Sequence, residues 1–124
     1  MDGYNLKRSC WLEISLDNVR DNFFAFKKMV GPDVKVMPAV KANAYGHGIV
    51  PCGKELEACG ADYLGMGSIS EAIKLRENGV KMPLLVFASN TIEEVAELYI
   101  QYHLIPTILS EREAKAISDA ASSP

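Results

Sequence analysis

Residues Asp62 to Phe87 read DYLGMGSISEAIKLRENGVKMPLLVF, and inside this stretch a strand gives way to a helix and then to a second strand. "DYLGMG" is a short apolar strand. Ser68 followed by Glu71 has the spacing of a capping box, which satisfies otherwise unpaired amides at a helix start. "EAIKLREN" is therefore helical, and Gly79 supplies its C-terminal stop. Leu84 to Phe87, "LLVF", is apolar again and reads as the next strand. Two strands joined by a helix pair in parallel, because only a crossover connection returns the chain to the same edge.

The same unit recurs on both sides. Downstream, Thr91 with Glu94 forms a second capping box ahead of "VAELYIQYH", and "LIPTIL" (Leu104 to Leu109) reads as a strand although Pro106 lacks a ladder donor. Ser110 with Glu113 forms a third box, opening "AKAISDAA". Upstream, β-branched and apolar residues from Val34 to Lys41 read as a strand, and Ile49 to Ala58 as a helix with Pro51 in its first turn and Gly60 closing it. From Val34 onward this makes about four βα units. They are preceded by a short strand, "WLEISL" (Trp11 to Leu16), and by a helix with Asp17 as N-cap and Val19, Phe23, Phe26 and Val30 on one face, ended by Gly31-Pro32.

This order makes the class α/β, with a parallel sheet covered by helices. The strands are nearly continuous apolar runs, the pattern of strands buried on both faces. An open doubly wound sheet and part of a closed (β/α)8 barrel both fit, and a complete barrel would need about 250 residues. In either architecture the functional residues belong at the carboxyl ends of the strands.

Composition narrows the function classes. The 124 residues fit one domain, and 48% are hydrophobic and 23% charged, as in ordinary globular proteins. With 13 Lys and Arg against 16 Asp and Glu, the formal net charge is −3. No basic stripe is present, so no nucleic-acid partner is expected. No apolar run approaches the ~18 residues of a membrane span, and the N-terminus lacks a signal-peptide core. No membrane association is expected, and the expected compartment is the cytoplasm. Cys10, Cys52 and Cys59 are odd in number and read as reduced thiols; with only His47 and His103 beside them, no metal site is expected.

The chemistry-bearing stretch is Ala39 to Gly48, "AVKANAYGHG". Lys41 stands at the carboxyl end of the first strand of the repeating units. A lysine just past a strand is ordinarily a solvated side chain. Its surroundings favour a second reading, an amine that forms a Schiff base or acts as a base. Ala42 and Ala44 leave room beside it, Gly46 and Gly48 allow close backbone approach to a ligand, and Tyr45 adds a hydroxyl. The N-terminus of the following helix would favour an anion such as phosphate. Together these residues point to a phosphorylated, carbonyl-bearing ligand. His47 and Asn43 read as loop-stabilising hydrogen-bond formers.

"PAVKANAYGHG" resembles the pyridoxal-phosphate attachment motif of alanine racemases, and "WLEISLDNVRDN", "ADYLGMGSISEAIKLRENGV" and "PLLVFAS" resemble that family's N-terminal segments in the same order. The resemblance covers essentially the whole chain. It implies the N-terminal half of a (β/α)8 TIM barrel, residues 1–124 being the N-terminal part of a pyridoxal-phosphate-binding barrel, with the remaining barrel and the C-terminal β domain absent. It implies pyridoxal 5′-phosphate carried on a lysine matching Lys41, which also acts as the base on one face of an amino-acid substrate. Tyr45 matches the tyrosine whose hydroxyl contacts the cofactor phosphate.

The implied activity is interconversion of L- and D-alanine by a homodimer, supplying D-alanine for cell-wall peptidoglycan. The second acid/base group, in the family a tyrosine from the partner subunit's β domain, has no match here. The chain is accordingly expected to be inactive alone. Phe87 stands where the family usually has leucine. Two alternatives remain at this stage. Decarboxylases of the same barrel type share a shorter "AVKAN"-like motif, and a non-catalytic α/β module would retain the lysine without the activity.

Overall fold

Ser68 and Ser110 each open a helix, as their capping boxes require. In the computed structural model, which describes residues 10–87 and 92–122, Ser68 Oγ accepts from Glu71 N–H at 3.3 Å and Ser110 Oγ from Glu113 N–H at 3.3 Å. The box at Thr91 lies outside the described residues. The elements are α1 (Leu16–Val30), α2 (Lys41–Tyr45), α3 (Ile49–Ala58), β1 (Leu64–Met66), α4 (Ile69–Glu77), β2 (Leu84–Val86), α5 (Ile92–Gln101), β3 (Ile105–Pro106) and α6 (Glu111–Ser122).

The sheet is parallel, in the order β1-β2-β3, with Leu64 opposite Leu84 and Val86 opposite Pro106. The segment before Lys41 lies along the free side of β1, where Ala39 pairs in parallel with Gly65. Spatial order thus follows sequence order across four consecutive pieces of chain. Successive βα units of a barrel are laid down in that way.

Several element boundaries differ from those read in the sequence. Residues 11–15 form no strand; Trp11 and Leu12 are exposed, and no described segment lies beside them to share a ladder. The N-cap of α1 is Ser15, whose Oγ accepts from Asn18 N–H at 3.2 Å, while Asp17 sits in the first turn and pairs with Arg20. Asp17 offers its charge to the helix dipole rather than a cap.

The strand expected over Val34 to Lys41 reduces to the pairing at Ala39. It is still tied to β1 by Gly65 N–H to Pro38 C=O (3.0 Å) and Val40 N–H to Gly65 C=O (2.7 Å). Pro38 can accept but not donate, so the ladder is thinned at that point. "LIPTIL" likewise pairs only over Ile105 and Pro106, after which Thr107 donates both N–H and Oγ to the carbonyl of Val86.

Strand periodicity separates two faces. Leu64, Met66, Leu84 and Val86 are fully buried in a core shared with Ile49 and Leu56 of α3, Ala72 and Leu75 of α4, and Ile92 and Tyr99 of α5. Each such large side chain contributes roughly 1.5–3 kcal/mol by leaving water. Gly53 lets α3 approach closely, since a Cβ there would fall 2.7 Å from Leu75 Cδ2.

Gly65, Leu85 and Phe87 alternate onto the opposite face, and the Ala39–Gly65 pairing puts Ala39 and Lys41 there too. The sequence led us to expect cover on both faces. Among the described residues the helices cover one; on the other, Met37, Ala39 and Lys41 are exposed and Phe87 is half-buried.

At the amino ends of the strands, Arg76 ties two loops together. Its guanidinium donates to the carbonyls of Val80 (2.8 Å), Met82 (2.8 Å), Tyr102 (2.9 Å) and His103 (3.0 Å). Glu57 Oε1 accepts from the amides of Lys81 and Met82 at 2.7 and 2.6 Å. With these ends held, the carboxyl ends are where the loops can vary.

Candidate active site

The peptide chain leaves the β1-paired segment at Val40, which is buried, and turns immediately into α2. That turn is left-handed: Ala42, Asn43, Ala44 and Tyr45 have φ of 52°, 55°, 54° and 54°. Left-handed backbone costs L-residues roughly 1–2 kcal/mol each, with asparagine more tolerant. Gly46 (φ 87°) ends the turn in a conformation that glycine takes without penalty. Strain of this kind persists only where the surroundings over-determine it, and functional sites are where it concentrates.

The surroundings do so here. Asn43 Oδ1 accepts from Ile49 N–H at 3.0 Å, and Asn43 N–H donates to Glu71 Oε1 at 3.0 Å. His47 Nδ1 lies 2.8 Å from the Ala44 carbonyl; since a carbonyl only accepts, Nδ1 carries the proton. Cys52, buried in α3, directs its Sγ to the His47 carbonyl at 3.8 Å, and burial pushes its thiol pKa up. Asn43 and His47 therefore hold the loop, as their residue types implied.

Lys41 opens this turn at the carboxyl end of its segment, with its side chain exposed. Among the described residues its ammonium has neither a hydrogen bond nor an ion pair. Gly67 lies alongside, where an added Cβ would stand 3.4 Å from Lys41 Cβ, so the missing side chain leaves space next to the amine's stem. Tyr45 ends the same turn and is 60% exposed, which leaves its hydroxyl available to a ligand. Lys41 and Tyr45 are thus brought onto one turn.

Other expected features fall elsewhere. Ala44 is 7% exposed and packs into the core rather than beside the amine. The N-terminus of α3 offers little to an anion, because Ile49 N–H is taken by Asn43 and Pro51 has none. An apolar groove of about 550 Å³ runs between α1 and residues 34–40, walled by Phe23, Phe26, Val30 and Val36; neither Lys41 nor Tyr45 lines it. Of the apolar face read on α1 only Phe23 is buried.

Sequence reading missed three contributors. Glu71 was read only as a capping-box member, but its carboxylate reaches back to Asn43 and to Gly67 N–H (3.1 Å). Gly67 makes room for Lys41. Gly65 makes room for Phe87, whose Cζ would lie 2.1 Å from an added Cβ. Two glycines at alternate positions of one short strand were the available signal, since interior strand glycines mark close approach.

The turn therefore presents an unpaired primary amine, a phenol and a glycine-lined space at the carboxyl edge of a parallel sheet. That donor set fits a group bearing an aldehyde to condense with the amine and an anionic tail to meet the phenol.

Comparison with known proteins agrees with the fold. The family described as "Alanine racemase, N-terminal domain" matches residues 14–124. Alanine racemase of Desulfovibrio desulfuricans is 38% identical over 115 residues, covering 93% of this chain and 31% of the relative. That of Carboxydothermus hydrogenoformans is 42% identical over 101 residues, covering 82% and 27%. Among solved structures, alanine racemase of Clostridium difficile 630 in complex with cycloserine superposes with a TM-score of 0.85 at 35% identity, covering 92% of this chain and 32% of that one. The chain spans about 30% of the length of these relatives. Its α/β fold is that of the N-terminal part of the (β/α)8 barrel, and the chain belongs to the alanine racemase family.

Proposed function

We propose that residues 1–124 are the cofactor-anchoring part of a pyridoxal-phosphate-dependent racemase interconverting L- and D-alanine, with Lys41 as the attachment and proton-transfer residue. The observation that carries this reading is the unpaired Lys41 amine on a strained left-handed turn at the carboxyl edge of the sheet, beside Gly67. The family uses pyridoxal 5′-phosphate. When bound, that cofactor supplies the electron sink that makes a proton on the substrate's Cα removable.

The chain's own residues do the rest. Lys41 would hold the cofactor through its amine, and the same amine would take or return a proton at the substrate's Cα from one side. The exposed Tyr45 hydroxyl would donate to the cofactor's phosphate. Phe87 lies over Gly65 on the same sheet face.

Racemisation also needs an acid/base group on the opposite side. Of the described tyrosines other than Tyr45, Tyr99 is in the core, Tyr102 packs partly buried against it, and Tyr63 lies under Lys35 at 5.6 Å. In this reading the second group comes from a partner subunit of a homodimer. The enzyme works in the cytoplasm, supplying D-alanine for peptidoglycan.

The test is to mix the protein with pyridoxal 5′-phosphate, reduce with borohydride and map the adduct by peptide mass spectrometry. Modification concentrated at Lys41 and lost in Lys41→Ala is expected. Labelling spread evenly over the surface lysines would refute the assignment.

A further inference from the structure

Four consecutive non-glycine residues in left-handed backbone need an external hold, and hydrogen bonds within the turn cannot provide one that fixes its direction. Asn43 Oδ1 and His47 Nδ1 bind partners in the same loop or the helix that follows it. Glu71 is different. It belongs to α4, after β1, and its two oxygens divide between two separate pieces of backbone: Oε1 accepts from Asn43 N–H at 3.0 Å and Oε2 from Gly67 N–H at 3.1 Å. Its own amide is bound by Ser68 Oγ, so the carboxylate starts from a fixed helix end.

These two amides flank Lys41. Asn43 lies two residues after it, and Gly67 lies beside its Cβ. One carboxylate thereby sets the separation between the lysine-bearing turn and the carboxyl end of β1. Hydrogen bonds to a charged acceptor are stronger than neutral ones, so the two together oppose the strain of the left-handed residues.

We propose that Glu71 is the positioning residue for Lys41: its carboxylate clips the left-handed turn to the end of β1 and so aims the amine across the open sheet face. The proposal deepens the functional reading given above and rests on it for the identity of the ligand. Glutamine keeps the length of the side chain but replaces one acceptor with an NH2 group that cannot accept from an amide. Glu71→Gln thus breaks one arm of the clip while leaving α4 its Ser68 cap.

Three measurements on the protein, wild type against Glu71→Gln and Glu71→Ala, decide it. Hydrogen exchange at the Asn43 and Gly67 amides should accelerate about tenfold or more in Glu71→Ala and at one of the two in Glu71→Gln, with Leu64 and Met66 amides unchanged. The share of borohydride-fixed pyridoxal 5′-phosphate found at Lys41 should fall about tenfold. Under limiting acetic anhydride, which requires no cofactor, the labelling of Lys41 relative to the other lysines should change by about threefold or more.

Unchanged exchange would show that no clip exists. Faster exchange with Lys41 reacting as before would show a clip that does not position the amine; either result overturns the proposal. If wild-type Lys41 takes no more cofactor than other lysines, the cofactor reading fails, and exchange with acetylation still judge Glu71. Should Glu71→Ala fail to fold, Glu71→Gln carries all three readouts.

Discussion

Asn43 Oδ1 caps Ile49 N–H at 3.0 Å across the turn that carries Lys41, so one side chain both tolerates a φ of 55° and starts the next helix. The two roles are separable by substitution. Asn43→Gly keeps the backbone conformation and loses the cap, at about 1 kcal/mol. Asn43→Ala loses the cap and adds left-handed strain of roughly 1–2 kcal/mol. Urea unfolding should therefore rank wild type above Asn43→Gly above Asn43→Ala. Equal midpoints for the two variants would mean that the turn relaxes and its handedness is not required.

Phe87 occupies the space that Gly65 leaves. An alanine at Gly65 would bring its Cβ within 2.1 Å of the Phe87 ring, so the ring must leave its position. Overpacking of this sort costs about 1–3 kcal/mol. Gly65→Ala should lower stability by that amount, and the double variant Gly65→Ala/Phe87→Leu should recover most of it. Additive losses in the double-mutant cycle would show that the two positions do not compete for one volume.

Arg76 holds four carbonyls from the loops 80–83 and 102–104 with one planar fork. Burial lowers its pKa from the usual guanidinium value, which still leaves it charged throughout the physiological range. Arg76→Leu would strand these acceptors, at a cost of about 1–3 kcal/mol for each one left buried. Lysine offers a point charge without the fork, so Arg76→Lys should recover less than half of the loss. A thermal melt on the three proteins settles whether the geometry matters or only the charge.

The thiols should differ in order and in pH dependence. Cys10 is exposed, Cys59 intermediate and Cys52 buried. Burial raises the Cys52 pKa; at Cys59 burial acts first and the Glu55 charge second, both upward. Because the thiolate is the reactive form, a raised pKa displaces the rise in alkylation rate to higher pH. Iodoacetamide should label Cys10 first and Cys52 last, with the midpoints for Cys52 and Cys59 above that of an ordinary thiol. Early labelling of Cys52 would reveal that α3 opens away from the His47 carbonyl.

Much of the architecture is local chemistry and therefore legible. Ser68 with Glu71 and Ser110 with Glu113 satisfy amides within one turn of themselves, so helix starts can be read residue by residue. Gly79, with φ 89°, marks a stop for the same reason. The N-cap of α1 was misplaced because Ser15 and Asp17 are both good caps, and only the chain direction ahead of the helix chooses between them. "WLEISL" has strand composition, but a strand exists only with a neighbour. Propensity alone cannot supply one.

The lysine motif divides in the same way. Sequence alone determined that Lys41 ends an apolar segment, that Tyr45 follows on the same short turn, and that parallel βα units put such residues at a strand's carboxyl edge, because periodicity and caps act over a few residues. Tertiary structure alone decided that "ANAY" winds left-handed, that Ala44 faces the core, and that Glu71, 28 residues along the chain from Asn43, joins it to Gly67. A left-handed turn of alanines is unfavourable locally, so nothing in the local sequence can signal it. Contacts from a distant helix must hold it, and those exist only once the fold has formed.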